Sequence, residues 1–449
     1  MMVKKNTGSL ALKDKLAFGM GAFGKDFVYI FISMYLLYFY TDVLKIPATT
    51  AGAILLVVRL VDALFDLPFG FLVDKTRTRW GKLRPYLLFG AVPYGVACAL
   101  LFYAPAISQS GKIIYAFTLY LLISILYSVV SIPHAALNTV MTDSVQERAH
   151  LSKYLVMFSG IAAAVAGVIT VPIVHLFPSE KSGYFFMGAS LGLLAIIFIL
   201  LCFKGTTEQV AESENMSVPL KLALKTVMTN IPFLILCASF ILAQLSLGIR
   251  GAAGIYYFIY NVGNANLFSV VSGIGGLIGL ILTFLSSFLA LRIGMKNYYI
   301  LVGAFTVLNF LLIYFAPVSN IPLVLALNII AGALTGLTMF AGWGMLPDAI
   351  SYSIQRNGLH IEGVYYSLYN FIQKLGTSLA GGLAGFVLAA YGYQTGSAPT
   401  PRTLEGILVT SALIPAGCAL LFSILMAFYN AKKEESINPQ IEGDHSNVL

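Results

Sequence analysis

Twelve unbroken apolar runs, each long enough to cross a bilayer as a helix, constrain this chain more than any single motif in it. They lie at about 16–44, 48–73, 84–106, 112–139, 151–178, 183–203, 232–261, 266–291, 298–316, 321–346, 363–391 and 404–430. Hydrocarbon offers no water to backbone N–H and C=O groups, so a spanning segment must satisfy them internally, and a helix of ~20 apolar residues does so. A membrane barrel would alternate apolar and polar residues, and these runs do not. Only 10% of the 449 residues are charged, against about a quarter in soluble proteins. The expected fold is an all-α membrane protein.

The basic residues give the orientation. With both termini in the cytoplasm, 18 of the 27 Lys and Arg fall in cytoplasmic segments, and only Lys45, Lys112, Lys181 and Arg402 fall on the other side. That asymmetry is the positive-inside bias. It accounts for the net charge of +8 through contact with anionic lipid and calls for no nucleic acid. Cys98, Cys202, Cys237 and Cys418 sit in apolar runs without paired spacing and read as packing residues. The N-terminus reads as a short basic lead into the first span, without a cleavable signal.

The longest polar interruption between spans runs from Lys204 to about Asn230 and divides the chain near its midpoint. This predicts an N-terminal six-helix bundle over 1–203, a middle loop over 204–230, a C-terminal six-helix bundle over 231–430 and a polar tail over 431–449. Helical spacing in Pro219–Met228 suggests a segment lying along the membrane surface. Short basic turns follow the second span of each half, Asp74–Pro85 and Arg292–Asn297, as a faint internal repeat. Glycine-rich stretches, such as Gly273 to Gly279 and Gly376 to Gly385, allow close helix approach.

Charges inside the spans point to function. Asp62 and Asp66 lie four apart, so a helix puts them on one face, with Arg59 a turn earlier. Like charges at that spacing repel, and burial in a membrane adds to the cost, so a proton, a cation or a basic side chain must compensate. A reversible site of that kind fits ion-coupled transport. The basic residues inside spans are Lys25, Arg59, Lys153, Arg250 and Lys374.

Four motifs, in order along the chain, carry a resemblance. They are Gly19-Met-Gly-Ala-Phe-Gly-Lys-Asp26 with Tyr40-Thr-Asp-Val43; Arg59-x-x-Asp62-x-x-x-Asp66; Arg79-Trp-Gly-Lys-Leu-Arg-Pro85; and Glu362-Gly-x-x-Tyr-Ser-x-x-x-x-x-Lys374. Together they resemble the glycoside–pentoside–hexuronide:cation symporters, the melibiose-permease-like branch of the major facilitator superfamily. The resemblance implies two pseudo-symmetric six-helix bundles with a substrate site between them near the midplane. It also implies a monomer in a bacterial inner membrane, with no cofactor beyond a coupling ion. Asp62 and Asp66 then look like cation-site carboxylates, joined by hydroxyls at Ser128 and Ser131. Asp26 looks like a sugar-binding carboxylate, suited to accept from two hydroxyls at once. Lys374 looks like a residue near the cation site that also serves the sugar path.

The departures from the family pattern shape the rest. Phe65 stands where a sodium-using relative has asparagine, Ser131 where it has an aspartate, Ala135 where it has a sugar-stacking tryptophan, and Val156 where relatives have a sugar-contacting arginine. Sodium wants a fuller shell of oxygens than two carboxylates and two hydroxyls provide, whereas a proton needs a single carboxylate. A proton is therefore the expected coupling ion, with Na+ at Asp62 and Asp66 as the alternative. Lys153 is a candidate to replace the missing arginine or to snorkel. Arg250 is a candidate for sugar hydroxyls or a carboxylate. Tyr29, Trp343, Tyr365 and Tyr369 are candidates for stacking on a sugar, and His134 for titration near neutrality. Arg59, Asp74, Arg77, Arg79, Arg84, Asp348 and Glu362 form the expected gating set. The expected cargo is a neutral glycoside or pentoside, since no two arginines converge in the sequence, with an anionic hexuronide and then a lysolipid as alternatives. A membrane enzyme or sensor is the rival class, and no nucleophile elbow or phosphate loop supports it.

Overall fold

The computed structural model describes residues 10–142, 144–208, 220–359, 361–394 and 397–430. The tail over 431–449, Glu212 and Glu214 lie outside the described residues, as do the side chains of Asp74 and Glu362, both expected to gate. Among the described residues twelve helical spans are long and apolar enough to cross a membrane. The first six are α1 (Leu12–Tyr38), α2 (Ala48–Lys75), α3 (Arg84–Leu101), α4 (Gln109–Val140), α5 (Val145–Val174) and α6 (Glu180–Gly205). After the short amphipathic α7 (Leu220–Met228) come α8 (Ile231–Tyr256), α9 (Asn266–Ile293), α10 (Met295–Phe315), α11 (Ile321–Asn357) and α12 (Glu362–Ala390). The last span joins α13 (Pro401–Leu408) to α14 (Ile414–Ala427) through a π turn.

The apolar runs predict these spans to within a few residues, with one large exception. α11 runs to Asn357, well past the expected end at 346. Its extension carries Pro347, Asp348 and Arg356, so it is too polar to read as a span, yet the helix continues through it.

The helices form two bundles of six spans, the major facilitator fold. α2 and α12 cross between the bundles on glycine. A Cβ added at Gly52 would lie 2.9 Å from the Gly382 carbonyl oxygen, and one added at Gly385 would lie 2.8 Å from the Gly52 Cα. Only bare backbone fits so close, and that approach brings α12 side chains within reach of the α2 carboxylates.

A pseudo-repeat hidden in the sequence emerges at the far ends of α1 and α8. Each runs into a π turn, Phe39–Val43 and Tyr257–Asn261. The Leu44 N–H donates to the Phe39 carbonyl as the Val262 N–H does to that of Tyr257, and Ile46 donates to Tyr40 as Asn264 does to Phe258. Lys45 and Gly263 follow at the same register, both with positive φ, at 63° and 78°. The two turns match residue for residue at an offset of 218, which puts Tyr260 at the position of Asp42.

The basic turn before α3 is tied down within its own bundle. The Glu208 carboxylate, just past α6, accepts from the backbone N–H groups of Lys82 (2.8 Å), Leu83 (2.8 Å) and Arg84 (3.0 Å). A helix N-terminus leaves such donors unpaired and favours an anion. Gly81 has φ 105°, and a Cβ there would lie 2.5 Å from the Glu208 carboxyl carbon. The Arg84 Nη2 donates to the Phe203 carbonyl at 2.7 Å, the Arg79 guanidinium lies over Trp80 at 4.1 Å, and Arg77 donates to the adjacent Thr76 carbonyl. In this structure Arg79 and Arg84 make contacts inside the N-terminal half. Asp348 lines a surface cavity with Lys296 and Tyr429 in the C-terminal half. Glu208→Ala is expected to cost about 1 kcal/mol by uncapping α3, read as a lower Tm of the purified protein in detergent.

Candidate functional site

Asp62 lies on the face of α2 turned toward α4 and α12 and is fully buried. Its Oδ1 accepts from the Ser128 hydroxyl at 3.0 Å, and its Oδ2 lies 3.9 Å from Arg59 Nη1 and 3.7 Å from Lys374 Nζ. Asp66, one turn on, is in ion pair with Lys374, whose ammonium also donates to Ser128 at 3.1 Å. One ammonium from the C-terminal bundle therefore bridges two carboxylates and a hydroxyl of the N-terminal bundle. Asp62 Oδ2 and Asp66 Oδ1 are buried with no hydrogen-bond partner. Unfilled lone pairs on buried carboxylates are costly, and a proton or cation arriving there would fill them.

The expected site residues divide between this centre and its surroundings. Asp62, Asp66, Ser128 and Lys374 come together. Among the described residues Ser131 makes no hydrogen bond to either carboxylate, which contact Ser128 and Lys374. Lys374, expected also in the sugar path, serves the carboxylates. Arg59, expected to gate, is buried deep in the bundle: its Nε donates to the Tyr120 hydroxyl at 2.8 Å, and its guanidinium lies over Tyr29 at 4.8 Å.

Asp26 heads a second cluster. It accepts from Lys25 Nζ at 2.6 Å, from the Tyr127 hydroxyl at 3.2 Å and from the Ser159 hydroxyl. Tyr29 stacks on Tyr127 with ring centroids 4.7 Å apart, so Asp26, Tyr127, Tyr29 and Arg59 form a continuous polar path. At its end lies a cavity of about 300 Å3 between the bundles, lined by Tyr29, Arg59, Tyr120, Thr335, Thr377 and Ser378. That volume is at the lower end of small-molecule pockets, ~300–1,000 Å3. A second cavity of about 210 Å3 adjoins it and is lined by Arg250, Asn328, Ser272 and Thr335.

Other candidates lie elsewhere. Tyr369 is fully buried and stacks on Phe240 at 4.3 Å, and Trp343 meets Tyr369 edge-on at 5.0 Å. Both pack the C-terminal core and line neither central cavity. Tyr365 is buried on Ser353 and Asn230. Lys153 is exposed, with its ammonium 6.0 Å from the Phe284 ring centroid, where α5 meets α9. His134 is fully buried, stacks on Phe18 and bonds its carbonyl at 2.9 Å, a structural arrangement.

One cluster escaped sequence reasoning. Asp42, in the π turn after α1, accepts from Tyr393 at 2.6 Å on both oxygens, from Tyr260, and from Thr41 at 2.6 Å. Thr41 in turn bonds the Tyr256 hydroxyl at 2.7 Å. Asp42 and Thr41 belong to one bundle and the three tyrosines to the other. The quoted Tyr40-Thr-Asp-Val43 motif marked the place but not the partners.

Comparison with known proteins agrees with this architecture. Residues 17–433 match the family described as MFS/sugar transport protein. The chain is 33% identical over 448 residues to the uncharacterized symporter YnaJ of Bacillus subtilis (strain 168), covering 97% of this chain and 96% of that one. It is 32% identical over 428 residues to the glucuronide carrier protein homolog of Escherichia coli (strain K12), covering 94% and 93%. Among solved structures, a D-xylose–proton symporter superposes with a TM-score of 0.68 at 15% identity, over 93% of this chain and 97% of that one, a likeness of fold.

Proposed function

The chain belongs to the MFS/sugar transport protein family, and from that premise we propose that it imports a glycoside by symport with a cation, without transforming it. The observation that carries this reading is a pair of carboxylates, Asp62 and Asp66, each with one buried oxygen that accepts no hydrogen bond, beside an ammonium from the opposite bundle. Arg59 ties that centre to the cavity, since it lies within 3.9 Å of Asp62 and also lines the space where a sugar would sit.

The cation in this scheme is a proton. Lys374 already lies beside both carboxylates, and Phe65 offers no oxygen. Protonation weakens the Lys374 pair that joins the bundles and lets the cavity reorganise around its cargo. Coupling is then a free energy shared between two sites, reciprocal in both directions. With both termini cytoplasmic in the inner membrane, the Asp42 cluster lies on the outer side and closes that entrance. Each monomer carries a complete path, with Asp26, Tyr29 and Arg59 as its sugar-facing groups.

Purified protein in sealed vesicles tests this. Uptake of labelled glycoside that follows an imposed pH difference supports the proposal. Uptake that follows only a sodium difference reassigns the ion, and uptake indifferent to both overturns symport.

A further inference from the structure

The basic residues inside the spans are matched by acids, with one exception at the cargo path. Lys25 sits on Asp26, Arg59 on Asp62, and Lys374 on Asp66. Lys153 is exposed. Arg250 has no carboxylate partner among the described residues. Its guanidinium donates to the Asn328 side-chain oxygen, and its Nη1 is buried with no hydrogen-bond partner. A guanidinium stays charged at any physiological pH, so it cannot escape the cost of burial by losing its proton.

Asn328 fixes the direction of that charge. Its Nδ2 donates to the Val324 carbonyl one turn back at 2.7 Å, which leaves its oxygen for Arg250. The pair borders the 210 Å3 cavity, whose walls also carry the Ser272 and Thr335 hydroxyls. This cavity shares Thr335, Gly251 and Leu247 with the larger one, so a ligand can lie across both. The two arginines of the path thus differ. Arg59 is balanced by Asp62, and Arg250 waits for an anion.

We propose that Arg250, oriented by Asn328, receives a carboxylate borne by the sugar, making the cargo a hexuronide whose ring lies against Tyr29 in the larger cavity. The inference rests on the sugar-transport reading above and names its substrate class. The planar guanidinium fork matches a carboxylate through two parallel N–H···O bonds. A neutral sugar would leave that fork unanswered. This reverses the preference for a neutral cargo, which rested on the lack of converging arginines in the sequence. One unopposed arginine in the cavity wall is enough.

Binding of three ligands to the purified protein, measured by calorimetry and paired with vesicle uptake, tests it: a methyl glucuronide, the matching neutral methyl glucoside, and its C6 sulfonate. The wild-type protein is expected to bind the glucuronide at least about tenfold more tightly than the glucoside, the scale of one charge-assisted pair. In Arg250→Gln that ratio is expected to fall to near one, and Arg250→Lys to restore part of it. A wild-type ratio near one, with the neutral sugar taken up uphill, overturns the proposal and leaves symport standing. A sulfonate preferred over the carboxylate overturns the hexuronide assignment in favour of a tetrahedral oxyanion. Binding of none of the three overturns the proposal, and the symport reading is then decided by its own ion-gradient test. The wild-type comparison decides even where the variants fail to fold.

Discussion

Asp62→Asn is expected to abolish uphill accumulation while leaving the bundle folded and exchange of sugar across the membrane measurable. The amide is nearly isosteric and can still accept the Ser128 hydroxyl, bonded at 3.0 Å in the native protein. It can neither take up a proton nor balance Arg59 and Lys374, which lie 3.9 and 3.7 Å from the carboxylate. A pH difference of one unit is worth ~1.4 kcal/mol, about tenfold in accumulation for one coupled proton. The expected change is from about tenfold to none, read as the plateau ratio of labelled sugar in vesicles. Counterflow, which needs no net cation movement, is expected to persist. Retained accumulation in this variant would separate Asp62 from coupling.

Asp42→Ala is expected to unlatch the outer side. In the native structure one buried carboxylate gathers hydroxyls of Thr41, Tyr260 and Tyr393, and two of the three tyrosines around it reach it directly across the bundles. Hydrogen bonds to a charged group contribute about 1.5–3 kcal/mol each, and the cross-bundle ones exist only while the ends of α1 and α8 meet. Loss of both, about 3–6 kcal/mol together, favours the state in which those ends part by roughly a hundredfold to ten-thousandfold. Spin-label distances between the two π turns, or alkylation of a cysteine placed at Tyr29, report the shift. Tyr260→Phe removes a single bond and is expected to move the equilibrium in the same direction by less. An unchanged distance distribution in Asp42→Ala would mean the cluster is packing and not a latch.

How much of this was legible in the sequence depended on range. The spans were visible because each is a continuous apolar run, and the largest error in their ends falls where α11 leaves the apolar pattern at Pro347 and Asp348 but stays helical. Asp62 and Asp66 were visible because charge inside such a run has few cheap explanations. Their contact with Lys374 is set by the glycine crossing of α2 and α12, where Gly52 meets Gly385. No local pattern encodes that crossing. Arg59 was grouped with the gate because sequence shows its charge and not its neighbours, and Tyr120 and Tyr29 fix it in the cavity wall. Trp343 and Tyr369 pack against Phe240 for a related reason hidden from sequence: an aromatic on a membrane helix looks the same facing a cavity or another ring. The π-turn repeat was hidden because Asp42 and Tyr260 share a position and a hydrogen bond but no chemistry.

The central claim is that ion occupancy of the Asp62–Asp66 pair drives the cargo, and simultaneous recording of sugar entry and lumenal pH in vesicles tests it most directly. Without sodium, the native protein is predicted to carry protons and sugar in fixed proportion, and Asp62→Asn/Asp66→Asn to move sugar only down its own gradient with no pH change. Proton-linked, concentrating uptake by that double variant would contradict the account.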